Sequence, residues 1–558
     1  MKDIKFKIFA SALASVLLVG CNDLDTEPLG AVVTSDQKEE VVKNDPEMVS
    51  ASVTGITAMF SVYGNAIPTS FGHDDFGYGS IMLNLDSRGT DMVGLDINYN
   101  WFTRSMTFED LFFNYRPTNI LWRTMYNQIY TANGVVSTID PATEDNSLKY
   151  YLAQALSIRA FDYFVLAQMY QHTYKGNESK PCVPLITNEN ANEAAANGCA
   201  RSTVQEVYDQ IMSDLNKAVS LLENTDKTRG TDKRYISKEV AYGLRARVNL
   251  TMQNWTAAAE DAQKAIDGSG TPYSREEASA PGFTESSDHS WMWAIVIAET
   301  DRVVTSGIVN FPSHMGSLNY GYASVGSWRM INKKLYNEIP DTDVRKGWWL
   351  DANKHSDNLN EAQVAQATKY GCPAYTQMKY GPYKGVMAQS TNASDIPLMR
   401  VEEMYLILAE AQAMGGNPST GAATLQKFIN DYRDPAYVCT ASSATAVQDA
   451  VWQQRRIELW GEGLSYFDIL RLNKGIDRRG AGFPAAYVFN VPAGDNTLIY
   501  RIPESEEQGN SLISLFEKYL HSCDVVYIFV GRTDLIDVNV VKTTGIRYES
   551  GIFNKMFY

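Results

Sequence analysis

The sequence predicts a mostly α-helical protein, with helical pairs as the scaffold, long aromatic-rich loops between them and a few short strands. Three observations predict it. Apolar residues recur at helical spacing through the middle of the chain. Alanines crowd the positions where facing helices would touch, and the stretches between helices carry Gly, Tyr and Trp without helical period. At 558 residues the chain exceeds one typical core, so two interlocked regions or one large composite domain are expected.

Taken in order, residues 151–171, rich in Ala, Phe and Tyr, read as one long helix whose partner is residues 121–139. Ser202 reads as an N-cap, with Gln205 completing a capping box. Val204, Val207, Tyr208, Ile211, Leu215, Ala218 and Leu222 then line one helical face. A second pair starts at Ser237, with Val240, Ala241, Leu244, Val248 and Leu250 on its first helix. The turn Gln253-Asn254 breaks it, and WTAAAEDAQKAI makes the next helix. This layout resembles a tetratricopeptide repeat, with Gly in the first helix and Ala at tight contacts in the second. Residues 401–432 form another pair, broken by Gly415-Gly416-Asn417-Pro418, and residues 447–472 a further element. The period is irregular, so the expectation is a tetratricopeptide-like scaffold and not a regular solenoid. Residues 64–118, 268–328 and 351–398 are the long loops, with one strand-like run at 291–298. Loops of this length in a compact protein usually carry function, and their large aromatics argue against disorder.

The start of the chain predicts its address. Lys2, Lys5 and Lys7 precede a twelve-residue apolar run, residues 8–19, which ends in Leu18-Val19-Gly20-Cys21. The run is too short to span a bilayer and reads as a secretory signal. A cysteine after Gly20 resembles the lipobox of bacterial lipoproteins, which makes Cys21 the expected lipidation site and its acyl chains the membrane anchor. Asp23, Asp25 and Glu27 follow, as in the surface-export signal of outer-membrane lipoproteins or in a plain solvated linker. The expected location is the outer membrane, lipid-anchored and facing the cell surface.

Charge and motif content exclude several classes. Removing residues 1–20 takes away Lys2, Lys5, Lys7 and Asp3 and moves the formal charge from −16 to −18. Such a chain, without a basic stripe, is a poor nucleic-acid partner and suits a neutral ligand better. Cys182, Cys199, Cys372, Cys439 and Cys523 are odd in number and lack CxxC spacing, which argues against a disulfide framework or zinc site. There is no GxxxxGK[ST], HExxH or GxSxG motif, and six scattered histidines lack metal-ligand spacing. No cofactor, metal or catalytic residue is expected.

Several stretches together carry a family resemblance. RVEEMYLILAEAQ from Arg400, RRIELWGEGLSYFDILRLNKG from Arg455 and LIYRIPESEEQGN from Leu498 resemble signature stretches of the SusD/RagB family. Residues 155–170 with Pro184-Leu185-Ile186, and INKKLYNEIPDTDVRKGWW from Ile331, resemble it too. The resemblance implies a surface lipoprotein that binds glycans or other nutrients above a SusC-like TonB-dependent transporter. It divides the chain into a signal peptide (1–20), an N-terminal SusD-like region with tetratricopeptide-like helices (21–267) and a C-terminal RagB/SusD region (268–513). Residues 514–558 resemble nothing in the family. A reading-frame change near the end of the gene or an extra hairpin would produce that tail, and the former is favoured.

Within this frame, Arg455, Arg456, Glu458, Glu462, Asp468 and Arg471 fall at mixed helical spacings, as a charge network joining helix ends would. The competing reading makes Glu458 and Glu462 a catalytic pair, as in a lipid-anchored glycoside hydrolase. Binding is better supported. A pyranose has apolar C–H faces and polar edges, so its receptor needs flat rings together with fork-like hydrogen-bonding groups. The Gly-rich loop carrying Arg88 and Asp91, then Tyr99 and Trp101, offers both. The resemblance adds a mid-chain loop with Tyr320, Tyr322 and Trp328. The expected function is capture of an oligo- or polysaccharide for the transporter, the alternative within the family being peptide or glycoprotein capture.

Overall fold

The computed structural model describes residue 42, residues 45–97 and residues 99–513. The expected signal peptide, Cys21 with its acidic neighbours, and the tail 514–558 lie outside the described residues.

Helices α1 (Tyr78–Arg88), α2 (Arg116–Val136), α3 (Asn146–Tyr170), α4 (Val204–Glu223), α5 (Lys238–Met252) and α6 (Trp255–Asp267) come from the first half of the chain. Helices α7 (Val401–Met414), α8 (Pro418–Tyr432), α9 (Ala444–Glu458) and α10 (Ser465–Arg471) follow in the second. Each of α2 to α8 packs on the next, and α9 packs on α7, so helices from both halves share one row. The tetratricopeptide-like scaffold is therefore present.

Sequence accounts for the joints. Helix α3 is buried on nearly every face, which is why Ala, Phe and Tyr run all round it. Its N-terminus is capped by Asp145, whose carboxylate accepts from the Leu148 N–H. The capping box of α4 sits one residue beyond the expected position. Thr203 and Glu206 exchange the two bonds, Thr203 being the last residue of the strand that leads into the helix. Ala258, Ala262 and Ala265 of α6 are fully buried and let α5 and α6 approach. Gly243 leaves room for a methionine, since a Cβ there would lie 2.5 Å from the Met399 sulfur. Gln253 ends α5 in the left-handed conformation, and Gly416 with Pro418 breaks α7 from α8.

The strands are few and short. β1 (Met92–Val93), β2 (Pro181–Pro184), β3 (Arg201–Thr203), β4 (Trp291–Ile295), β5 (Met330–Ile331), β6 (Ile396–Arg400), β7 (Ile476–Asp477) and β8 (Asn490–Val491) form antiparallel pairs β1–β5, β2–β3, β4–β6 and β7–β8. The strand-like run at 291–298 is β4, all five residues buried. Pairing β1 with β5 ties the loop after α1 to the mid-chain loop, which positions the site described below.

The signature stretches bury a charge network. Glu458, fully buried, accepts from Arg345, Arg400 and Arg433, while Glu462 holds Arg400 and Lys379. Arg455 and Arg471 share Asp468, and Arg471 also pairs with Glu410 of α7. The surrounding cations hold the Glu458 carboxyl well below the usual range, against burial, so it stays ionised. The Glu458 and Glu462 carboxylates are committed to cations inside the core.

Asp86 has the opposite environment. Its carboxylate accepts the Gly463 N–H at 3.0 Å, but burial, with Asp91 and Glu462 nearby, pushes its pKa up to about 8. An acid with a raised folded pKa contributes stability that is fully present below the unfolded value, near 3.9, and lost as pH rises towards about 8. Asp86→Asn keeps the acceptor and removes the titration. The variant is expected to gain on the wild type between pH 5 and pH 8 in urea titrations. An equal difference at both pH values would contradict a raised pKa.

Candidate functional site

The site is built from the loop that follows α1. Asn100 turns inward: its Nδ2 donates to the Leu95 carbonyl at 2.9 Å, and its Oδ1 accepts from the Phe102 N–H at 3.1 Å and from Arg329 Nη1 at 3.0 Å. With Asn100 and Phe102 buried, their chain neighbours Tyr99 and Trp101 face solvent, 54% and 40% exposed. Gly94 closes the loop onto the guanidinium, since a Cβ there would lie 3.0 Å from Arg329 Nη1.

Rings from three segments meet at this loop. The His73 imidazole stacks on Trp101, centroids 4.9 Å apart and planes 27° from parallel. His73 Nδ1 is also hydrogen-bonded to the Tyr322 hydroxyl. The Tyr322 ring lies on the buried His314 ring at 4.5 Å and 11°, and His314 is also stacked with Phe76. Tyr99 approaches Tyr322 at 6.5 Å. Tyr63 and Phe71 form a second ring pair at 5.8 Å, with the Arg302 guanidinium over both. The segment carrying His73 is anchored by Arg116, which grips Asp74 at 2.8 Å and the Ser70 carbonyl at 2.6 Å. Burial lowers the pKa of both histidines, that of the fully buried His314 further, with the nearby Arg329 acting in the same direction. The rings therefore present an uncharged, pre-packed surface at neutral pH. Flat rings with polar tips suit the C–H faces and hydroxyl edges of a sugar.

The structure brings Tyr99, Trp101 and Tyr322 together from two loops far apart in sequence. Tyr322 is mostly covered and acts as backing, with its hydroxyl on His73. Tyr320 is exposed on the same mid-chain loop, its backbone tied to Gln389 and Asn392. Trp328 is half-buried and packs in a small core with Leu318, Leu350 and Cys372. Arg88 and Asp91 are corrections. Arg88 is fully buried, paired with Asp110 and flanked by the rings of Phe108, Tyr466 and Tyr500. Asp91 is buried in a pair with Arg456 at 2.6 Å and accepts from Ser465 at 2.7 Å. Both lie at the end of α1, whose whole length is core, so neither offers a fork to a ligand. Sequence reasoning missed His73, Tyr63, Phe71 and Arg302. The only local signal was Gly64 and Gly72 beside Tyr63 and Phe71. Gly64 has φ 68°, and a Cβ there would overlap the Phe71 ring.

Among the described residues no group of three or more His, Cys, Asp or Glu is placed to hold a metal ion. Cys182, Cys199, Cys372 and Cys439 are unbridged thiols.

Comparison with known proteins agrees with the fold. Residues 78–250 match a family model described as starch-binding associating with outer membrane, and residues 332–513 match the SusD family model. A SusD-like protein, P38, of Formosa agariphila is 24% identical over 397 residues, 64% of this chain and 73% of that protein. A SusD-like carbohydrate binding protein from Bacteroides vulgatus superposes with TM-score 0.68 at 24% identity, covering 84% of this chain and 96% of that one. A SusD superfamily protein from Bacteroides thetaiotaomicron gives 0.67 at 20%, covering 84% and 98%. A laminarin binding SusD-like protein gives 0.59 at 17%, also covering 84% and 98%.

Proposed function

This chain belongs to the SusD/RagB family, and on that footing we propose that it is a surface-exposed lipoprotein that captures an oligo- or polysaccharide and delivers it to a SusC-like TonB-dependent transporter. The observation that carries the glycan reading is the exposed ring pair of Tyr99 and Trp101, backed by the half-buried His73 and by Tyr322 and His314. It is a binding surface and not a catalytic one. The carboxylates that could pair for hydrolysis, Glu458 and Glu462, are spent on buried cations. Tyr320 and Trp328 are assigned to the rim of the same surface, since they lie on the loop that supplies Tyr322.

Cys21 is the proposed lipid anchor. Among the described residues no helix is long and apolar enough to cross a membrane. Membership of the family is the ground on which the ligand's route inward is assigned to a separate barrel. Tethering binder and barrel together would raise the ligand concentration at the mouth.

A glycan array on the purified protein, followed by pull-down of the tagged full chain from outer membranes, tests both halves. Binding to a polysaccharide without release of shorter products, and recovery of a barrel protein, are the expected results. A blank array with retained peptides would replace the glycan by a peptide ligand. Release of products would make the protein an enzyme.

A further inference from the structure

Arg329 stands apart from the other fully buried arginines among the described residues. Arg88, Arg345, Arg400 and Arg433 each face at least one carboxylate. Arg478 faces none, but its three nitrogens donate to the carbonyls of Gly89, Met106, Tyr487, Ser87 and Arg88. The Arg329 side chain has a single hydrogen bond, from Nη1 to Asn100 Oδ1, and no acid partner, while its Nε and Nη2 meet no protein acceptor. The nearest compensation is the Phe102 ring, 5.5 Å from the guanidinium carbon. Such a contact offsets only part of the cost of burying an uncompensated ion. Burial lowers the pKa only to about 10, so the group stays charged at neutral pH.

The surroundings do not supply the missing charge. His314 beside it is buried and neutral, with an unpartnered Nδ1. The same loop carries two further buried side chains without hydrogen-bond partners, Asn319 at both amide atoms and Ser327 at its hydroxyl. A water molecule would satisfy a donor but leave the charge, whereas an anion answers both. The Nε–Nη2 edge of a guanidinium offers parallel N–H groups to one acceptor. Because Arg329 is fully buried and closed over by Gly94, the anion must be small and independent of any polymer.

We propose that Arg329 binds a small monovalent inorganic anion of chloride size on its Nε–Nη2 edge, directly beneath the exposed ring surface. The anion holds the guanidinium where Nη1 meets Asn100, and Asn100 in turn holds the loop that presents Tyr99 and Trp101. An effect of halide on glycan affinity rests on the function proposed above; the anion site does not.

Crystals of the full chain grown in sodium bromide test the site without any glycan. The expected result is an anomalous bromine peak within hydrogen-bond distance of Arg329 Nε and Nη2. Ordered waters on those atoms and no bromine would overturn the proposal, whatever the glycan array shows. In solution, exchanging sodium gluconate for sodium chloride at constant ionic strength is expected to raise the Tm by about 2 °C. Arg329→Met should abolish that rise, and a rise of equal size in the variant would also overturn the proposal. Where that variant does not fold, the bromide crystals decide alone.

Discussion

Replacing Glu458 by alanine is expected to lower the unfolding free energy by about 3–5 kcal/mol, the cost of removing one partner from a buried ion pair. The carboxylate accepts from Arg433 Nε at 2.7 Å, from Arg400 Nη1 at 3.1 Å and from Arg345 Nη1 at 3.2 Å. Its loss leaves these three buried guanidiniums to share Glu402, Glu462 and Asp343. The pairs join β6, α9 and the segment holding Arg345, so their loss loosens contacts distant in sequence. Urea titration of the full chain measures it, and a loss under about 1 kcal/mol, the size expected of a surface pair, would contradict the burial argument. The sign with pH follows from the depressed pKa of Glu458. Its contribution is present above the unfolded value, near 4.3, and is lost as pH falls through the folded one. The gap between wild type and variant should therefore narrow as pH falls below about 4.

Alanine at Trp101 is expected to weaken binding of the glycan found on the array by about 1–3 kcal/mol, roughly five- to 150-fold, with little change in Tm. The indole is 40% exposed and its ring contact is the His73 imidazole, so truncation removes ligand surface and little core. Isothermal titration and thermal melting of the same preparations separate the two effects. A large fall in Tm with unchanged affinity would make Trp101 a structural residue and move the binding surface elsewhere.

The scaffold was legible in the residues because its signals are local. Helical spacing, a capping residue and a Gly-Gly-Asn-Pro break act within a turn or two of chain, and α4 to α8 follow them closely. The one-residue shift of the α4 cap shows the limit, since the point where strand β3 ends, at Thr203, decided which residue became the cap. The charge network was legible as a spacing pattern on one stretch. Its partners Arg345, Lys379, Arg400 and Arg433 were not, because they arrive from other segments.

At the candidate site the division is sharper. By itself the sequence determined that a Gly-rich loop bearing Tyr99 and Trp101, and a mid-chain loop bearing Tyr320 and Tyr322, hold more aromatic surface than connection requires. Only the tertiary structure decided which side chains face out. Arg88 and Asp91 share that first loop region with Trp101, yet the all-round burial of α1 takes both into ion pairs with Asp110 and Arg456. His73 and Tyr322, 249 residues apart, meet at a hydrogen bond that no local pattern encodes. The physical reason is that periodicity reports which face of an element is apolar. Whether a polar or aromatic group is covered depends on what packs against it, and here that is chain from hundreds of residues away.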